Sequence, residues 1–211
     1  MKTIRLTIAL ILLATCSYGQ SIFRTELAKG IALADTAKSL SGYEAAQSIF
    51  ERLAKEHPKE WLAAYYAAYS ANLSGIKSKA EPEQRDELFD KAMGYLAKAD
   101  SLHPKSSEVY ALKAYVVFMQ MAVYPTKRAM EMIPQSNALL EKAIALDPEN
   151  PRAYLLKGQT SFYIPEMFGG SKEEAKKSLL MAKEKFASSA NSDKLQPGWG
   201  KERCAELLSA Y

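Results

Sequence analysis

The sequence predicts an all-α fold made of repeated helical segments. Alanine, leucine, lysine and glutamate dominate its 211 residues, of which 48% are hydrophobic and 25% are charged. These residue types favour helix, and the stretches between the predicted turns contain few β-branched side chains. Three prolines, Pro58, Pro104 and Pro148, each stand between two helical patterns. Such regular recurrence is typical of a helical repeat protein, in which each unit packs on its neighbours.

The residues around these prolines recur at the same offsets. Before each proline the order is small, large apolar, then small or apolar, and after it the order is usually aromatic, then small. The positions before the prolines are Ala46, Phe50 and Leu53, then Ala92, Leu96 and Ala99, then Ser136, Leu140 and Ala143; the positions after them are Ala64 and Ala68, then Tyr110 and Ala114, then Tyr154 and Gly158. Ala175, Leu179 and Ala182 repeat the first pattern without a closing proline.

This pattern resembles the tetratricopeptide repeat (TPR) family, and the resemblance covers residues 21–189. It implies an α-solenoid of about four antiparallel helix pairs plus a C-terminal capping helix. In that family small residues let paired helices approach closely, and the proline opens the next helix, where its missing N–H costs nothing. The proline spacings of 46 and 44 residues exceed the family period of about 34. The extra residues are predicted to form inserted segments at 74–82 and 124–134.

Capping signals predict the boundaries of several helices. Ser41 with Glu44, and Ser171 with Glu174, have the spacing of capping boxes, and Asn150 precedes a proline suited to the first helical position. The predicted helices span 22–39, 43–56, 60–73, 83–102, 106–122, 135–146, 150–163, 171–188 and 199–209. Cys204 lies on the apolar side of the last helix and is predicted to be a packed core thiol.

The first nineteen residues have the pattern of a secretory signal peptide. Lys2 and Arg5 form a basic start, an apolar run follows over 6–14, and small residues precede a predicted cleavage site before Gln20. The run is too short to span a bilayer, which requires about 20 residues. We therefore predict a mature helical repeat domain at 20–211 that is exported to the periplasm or the outer membrane. The alternative is a lipoprotein, because residues 13–16 loosely resemble a lipoprotein box ending in Cys16.

Charge and motif content argue against several functional classes. Removal of residues 1–19 takes away two basic residues, so the formal charge falls from +4 to +2, which is too small to predict nucleic-acid binding. The usual signatures of metal, phosphate and nucleophile sites are absent from the sequence. His57 and His103 precede equivalent prolines, but the third unit has Asp147 at that place, so no metal site is predicted. We predict neither an enzyme nor a bound cofactor.

The TPR resemblance places the first helix of each unit along a concave groove, and this groove is the predicted binding site for a protein or peptide partner. Aromatic residues are frequent at the groove positions, and aromatic surfaces of this kind bind peptides, partner helices or ring-bearing ligands. The candidate binding residues are Tyr65, Tyr69, Asn72, Tyr115, Phe118, Arg152, Gln159, Phe162 and Tyr163. Alternatively, the aromatic side chains pack against one another inside the fold.

Two other functional interpretations remain open from the sequence. The chain could be a structural subunit of an envelope assembly, or an enzyme whose site has no recognisable signature. Residues 167–172 and 197–201 are similar to segments of exported bacterial TPR proteins of unassigned activity. That similarity supports the predicted fold and implies no particular partner.

Overall fold

The computed structural model describes residues 20–189 and 193–211, and within these ranges all regular structure is helical. The nine α-helices of the described residues are α1 (20–36), α2 (Leu40–Glu56), α3 (Trp61–Lys77), α4 (Pro82–Leu102), α5 (Ser107–Val123), α6 (Pro125–Leu146), α7 (Pro151–Tyr163), α8 (Lys172–Ser188) and α9 (Lys201–Leu208). A short 3-10 helix at Glu166–Phe168 follows α7. Consecutive helices pack as antiparallel pairs, and α9 packs on α8. The predicted TPR-like solenoid is confirmed.

The repeat positions read from the sequence lie in the interior. The residues counted back from each proline fall on α2, α4 and α6, and those that close the series fall on α8; all of them are buried. Ser136 is polar at a position where other units have alanine, and its hydroxyl donates to the carbonyl of Ala114 on α5 at 2.9 Å. The predicted register of the repeats is therefore confirmed.

Close contacts between paired helices explain why small residues recur in the pattern. A Cβ atom on Gly158 of α7 would lie 2.7 Å from the Cγ of Leu179 on α8. A Cβ on Gly75 of α3 would lie 2.6 Å from the ring of Phe89 on α4. Real Cβ atoms do not approach that closely, so a larger residue at either place would push the helices of the pair apart.

The TPR resemblance implied that each repeat proline opens the next helix, and this expectation is wrong. Pro58 and Pro148 occupy the second position of four-residue turns, in which the amide of Glu60 donates to the carbonyl of His57 and the amide of Asn150 donates to the carbonyl of Asp147. The fixed φ of proline suits that turn position, and its missing N–H is not needed there. The following helices begin three residues after the prolines.

The extra residues of the long repeats extend helices and do not form the inserted segments predicted from the sequence. Helix α3 continues to Lys77 and α4 begins at Pro82, and α6 begins at Pro125 and runs for 22 residues. Pro134 lies inside α6 and removes the backbone hydrogen bond to Met130, whose side chain is exposed. A carbonyl on the exposed side of a helix can be hydrated, so the proline is tolerated.

Two of the predicted helix caps are confirmed and one is wrong. The Ser171 hydroxyl accepts from the amide of Glu174, and the Asn150 side chain accepts from the amide of Arg152. Helix α2 begins three residues earlier than predicted, and Ser39, not Ser41, is its N-cap. Cys204 is buried as predicted: its thiol donates to the carbonyl of Leu179, and burial raises the pKa of the thiol.

The predicted signal peptide at 1–19 and the lipidation alternative at Cys16 lie outside the described residues and stay predictions. No helix of the described residues combines the length and the apolar character that a membrane span requires.

Replacing Ala114 with leucine is expected to lower the free energy of unfolding by about 1–3 kcal/mol. Ala114 is buried, and its carbonyl is held by Ser136, so the added carbons must displace α6. Thermal unfolding measures this loss as a fall in melting temperature of about 2–4 °C for each kcal/mol. Ala138→Leu, at an exposed position of α6, is the control and should change little. Equal melting temperatures for the two variants would contradict the assigned packing.

Candidate functional site

The chain itself covers part of the concave side formed by α3, α5 and α7. Residues 193–200, which we call the strap, connect α8 to α9 beyond the undescribed residues 190–192 and run across these helices. The side chains of Leu195 and Trp199 are buried there, and the carbonyl of Leu195 accepts from the hydroxyl of Tyr66 at 3.1 Å. A continuous open groove is therefore absent from the described structure.

Trp199 is the residue that joins the strap to the aromatic face of the helices. It is 8% exposed, and its ring stacks on Tyr69 with centroids 4.9 Å apart and an interplanar angle of 17°. The ring of Tyr115 lies 6.3 Å away at 27°. The indole N–H donates to the hydroxyl of Tyr65 at 3.0 Å, so both the face and the edge of the indole are fixed.

A partly buried ion pair lies behind Tyr65. The guanidinium of Arg152 donates to both carboxylate oxygens of Glu108, with Nε and Oε2 2.6 Å apart. The Tyr65 hydroxyl is 3.5 Å from the same Oε2 atom. Burial raises the pKa of Tyr65 well above its usual value, so the phenol keeps its proton and can donate to Glu108. Arg152 also lies 5.9 Å from the Trp199 ring.

Strap and helices line a partly open cavity of about 820 Å³. Its walls come from α1, α2, α3, α5, α7, the strap and α9, and aromatic rings make up much of them. The aromatic lining consists of Tyr43, Tyr69, Tyr115, Phe118, Tyr163 and Trp199; the apolar remainder includes Leu73, Ile76, Met119, Leu155 and Leu156. Burial raises the pKa of Tyr43, Tyr69 and Tyr115, so these phenols are neutral hydroxyl groups.

Five charged residues of the described chain line the cavity, and three of them, Glu202, Arg203 and Glu206, belong to α9. Arg203 of α9 donates to Gln159 at 3.0 Å and to the hydroxyl of Tyr163 at 2.7 Å, and it pairs with Glu206 at 2.8 Å. Partial burial and the nearby Glu202 raise the pKa of Asp35. Lys77 is an exposed cation on the lining. The cavity lining thus combines aromatic rings with a few charged groups.

The structure brings five of the nine predicted binding residues together at this cavity: Tyr69, Tyr115, Phe118, Gln159 and Tyr163. Tyr65 and Arg152 lie behind it in the hydrogen-bond network. Phe162 lies elsewhere on α7, with its ring near those of Tyr163 and Tyr211. Asn72 is fully buried, and within the described part of the chain neither of its amide atoms has a hydrogen-bond partner.

The prediction that the candidate residues face solvent in an open groove is wrong for five of the nine. Tyr65, Asn72, Phe118, Arg152 and Gln159 are all buried. The strap covers Tyr65, while Phe118 packs against Met121, Ile133 and Ile164 in a second apolar cluster. That cluster exists because the first half of α6 is helical, which the sequence pattern did not indicate.

Sequence reasoning missed the residues that the strap, α9 and the first helix pair contribute, notably Trp199, Arg203 and Tyr43. The signal that could have found the strap is the Pro197-Gly198-Trp199-Gly200 segment, in which a tryptophan stands among turn residues. Gly200 has φ of 108°, and a Cβ there would lie 2.7 Å from Leu155. The backbone turns at this glycine so that Trp199 can enter the fold.

The two histidines take no part in the cavity. The His57 ring lies 4.9 Å from Phe23, and the His103 ring stacks on Trp61 at 4.5 Å. Among the residues that the structure describes, no group of three or more histidine, cysteine or acidic side chains is arranged to hold a metal ion.

Comparison with known proteins identifies similar structures but no sequence family. No family profile and no curated protein matches the chain. The HusA haemophore from Porphyromonas gingivalis has a similar structure, with a TM-score of 0.79, 29% sequence identity, and coverage of 87% of this chain and 90% of that one. A thermophilic TPR protein from Thermus thermophilus has a TM-score of 0.57 at 20% identity, covering 89% and 88% of the two chains. Both similarities support the TPR-like fold, and the similarity to the haemophore supports, at a coarse level, a binding role.

Proposed function

We propose that this chain is an exported binding protein that carries a planar, ring-bearing ligand of the haem class in the cavity beneath the strap. The observation that carries the proposal is the cavity itself, because the stacked rings of Tyr69 and Trp199 form its wall. Its volume of about 820 Å³ falls within the range of about 300–1,000 Å³ that is usual for small-molecule sites. The signal-peptide pattern supports export, and the haemophore similarity supports the ligand class.

The cavity offers each part of such a ligand a suitable partner. Flat aromatic side chains bury a flat ring and add stacking energy beyond the burial of area. The carboxylates of a haem would pair with Lys77 or Arg203, the two cations of the described lining, and Arg203 would then share its charge with Glu206. Among the described lining residues, the types known as axial haem ligands are the thioether of Met119 and tyrosine, whose phenol would have to lose the proton that burial stabilises.

The strap also favours a small ligand over an extended peptide. A peptide in the concave groove would have to occupy the place where Leu195 and Trp199 pack on α3. A compact ligand needs only the cavity that remains. A protein partner stays the second candidate, favoured by the exposed ring of Tyr163 at the outer end of α7. Binding without catalysis is part of the proposal in either case.

Titration of the mature protein with ferric haem is expected to show saturable binding at one site, followed by the change in haem absorbance. Tyr115→Ala should weaken the affinity about tenfold, because it removes one ring of the cavity wall. Tyr110→Ala is the matched control on α5, since Tyr110 lies outside the cavity lining and should leave the affinity unchanged. We choose Tyr115 alone because its neighbour Phe118 is buried in the second apolar cluster.

Two results would contradict the haem proposal. Absence of saturable binding by the folded wild-type protein would exclude this ligand class. Equal weakening by the replacements of Tyr110 and Tyr115 would show that the effect is general destabilisation and that the cavity is not the site. Binding of an extended peptide, with no haem binding, would favour the second candidate.

A further inference from the structure

Packing of its ring does not explain why Tyr65 carries a hydroxyl group into the core. It is 0% exposed and is absent from the cavity lining, so it does not touch a ligand in the cavity. A phenylalanine would fill the same apolar space without bringing a hydroxyl into the core, and a buried hydroxyl is costly unless it is hydrogen-bonded. The function of the hydroxyl must therefore lie in its hydrogen-bond partners.

Those partners connect the strap to the centre of the fold. The Tyr65 hydroxyl accepts from the indole N–H of Trp199 at 3.0 Å and faces Glu108 Oε2 at 3.5 Å. Glu108 is itself held by the guanidinium of Arg152, so its position is fixed from α7. One hydroxyl thus joins α3, α5, α7 and the strap.

A fixed indole matters because Trp199 forms part of the cavity wall. Stacking on Tyr69 determines the plane of the indole but leaves it free to rotate within that plane. The hydrogen bond to Tyr65 removes that freedom, because it specifies where the indole N–H points. Tyr66 adds a separate tether, since its hydroxyl donates to the carbonyl of Leu195.

We propose that Tyr65 is a positioning residue for the cavity: its hydroxyl, held by the Glu108–Arg152 pair, fixes the Trp199 indole as a preorganised wall for the bound ring. This inference rests on the proposed function. Without the hydroxyl the strap remains tethered through Tyr66, but the indole samples other orientations. A ligand must then order the indole as it binds, which lowers the affinity.

The test uses Tyr65→Phe in a Trp61→Phe background, in which Trp199 is the single tryptophan of the chain. We expect its fluorescence spectrum to change in the ligand-free protein, and the affinity for ferric haem to fall about tenfold, with a melting temperature near that of the background. Tyr110→Phe in the same background is the matched control. It removes a hydroxyl that accepts from Lys142 at the surface, and it should alter neither the spectrum nor the affinity.

A second variant removes the same hydrogen bond from the other side. Trp199→Phe deletes the indole donor and should weaken haem binding about tenfold, even if Tyr65→Phe fails to fold. When both single variants fold, the double variant should bind no more weakly than the weaker of the two, because both have lost the same hydrogen bond. Purely additive losses would overturn the positioning role.

The outcomes separate this inference from the proposed function. If the background protein does not bind haem, the proposed function fails and the positioning role fails with it. If the background protein binds haem, but Tyr65→Phe binds with the same affinity and an unchanged Trp199 spectrum, the inference alone is overturned.

Discussion

Replacing Arg152 with methionine is expected to lower the free energy of unfolding by about 1–3 kcal/mol, because the partly buried Glu108 carboxylate is then left without its partner. The side chains of Arg152 and Glu108 are 8% and 19% exposed, so water can replace the lost guanidinium only in part. Two hydrogen bonds between them are lost together. Denaturant unfolding followed by circular dichroism measures the change.

Two further variants show whether burial is the cause of that loss. Arg52→Met breaks surface ion pairs with Glu26 and Glu56, and because Arg52 is 46% exposed it should cost less than about 1 kcal/mol. Replacing Glu108 with leucine in the Arg152→Met protein should restore much of the stability, since no buried charge then remains. Similar small losses for Arg52→Met and Arg152→Met would contradict the buried network.

Replacing Trp199 with alanine is expected to weaken ferric haem binding at least about thirty-fold, equivalent to about 2 kcal/mol. The substitution removes the ring that stacks on Tyr69 and the donor to Tyr65, so the cavity loses one wall. It also removes the main anchor of the strap, whose amides should lose protection from hydrogen exchange while those of α4 and α5 keep theirs.

The other tryptophan of the chain supplies the control for this prediction. Trp61 stacks on His103, contacts the Tyr65 ring edge-on at 5.7 Å and lies outside the cavity lining. Trp61→Phe keeps an aromatic ring at that contact, so it should leave the haem affinity near that of the wild type. Haem affinity unchanged by Trp199→Ala would show that the cavity beneath the strap is not the binding site. Loss of protection throughout the chain would show that the strap is part of the global folding unit.

The strap changes what the TPR-like architecture can bind. Three inner helices with aromatic faces would alone present an open groove suited to a peptide. Leu195 and Trp199 occupy part of that surface, and α9 then brings Arg203 to Gln159 and Tyr163 in the lining of the cavity. A cavity of limited volume favours a compact ligand, and its aromatic lining favours a flat ring. The proposed ligand combines both properties.

The repeat pattern determined the helix pairs because contacts between neighbouring units recur at fixed offsets. Phe50, Leu96, Leu140 and Leu179 each fill the space between paired helices, and periodicity reveals such positions directly. The sequence predicted the ends of the helices less accurately than their pairing. The sequence predicts a helix that begins at 135, directly after Pro134, but tertiary packing of Ala129 and Ile133 against Ile164 keeps α6 continuous through this proline.

The amino-acid sequence by itself determined the helical class, the register of the repeats, the caps at Asn150 and Ser171, and five residues that line the cavity. All of these depend on contacts that are local or repeat with a period. Tertiary structure alone decided that the groove is partly closed, because the hydrogen bond between Tyr65 and Trp199 joins residues 134 positions apart in the chain. No periodicity encodes a contact that occurs once, so the place of the strap depends on which buried donors and rings are complementary in three dimensions.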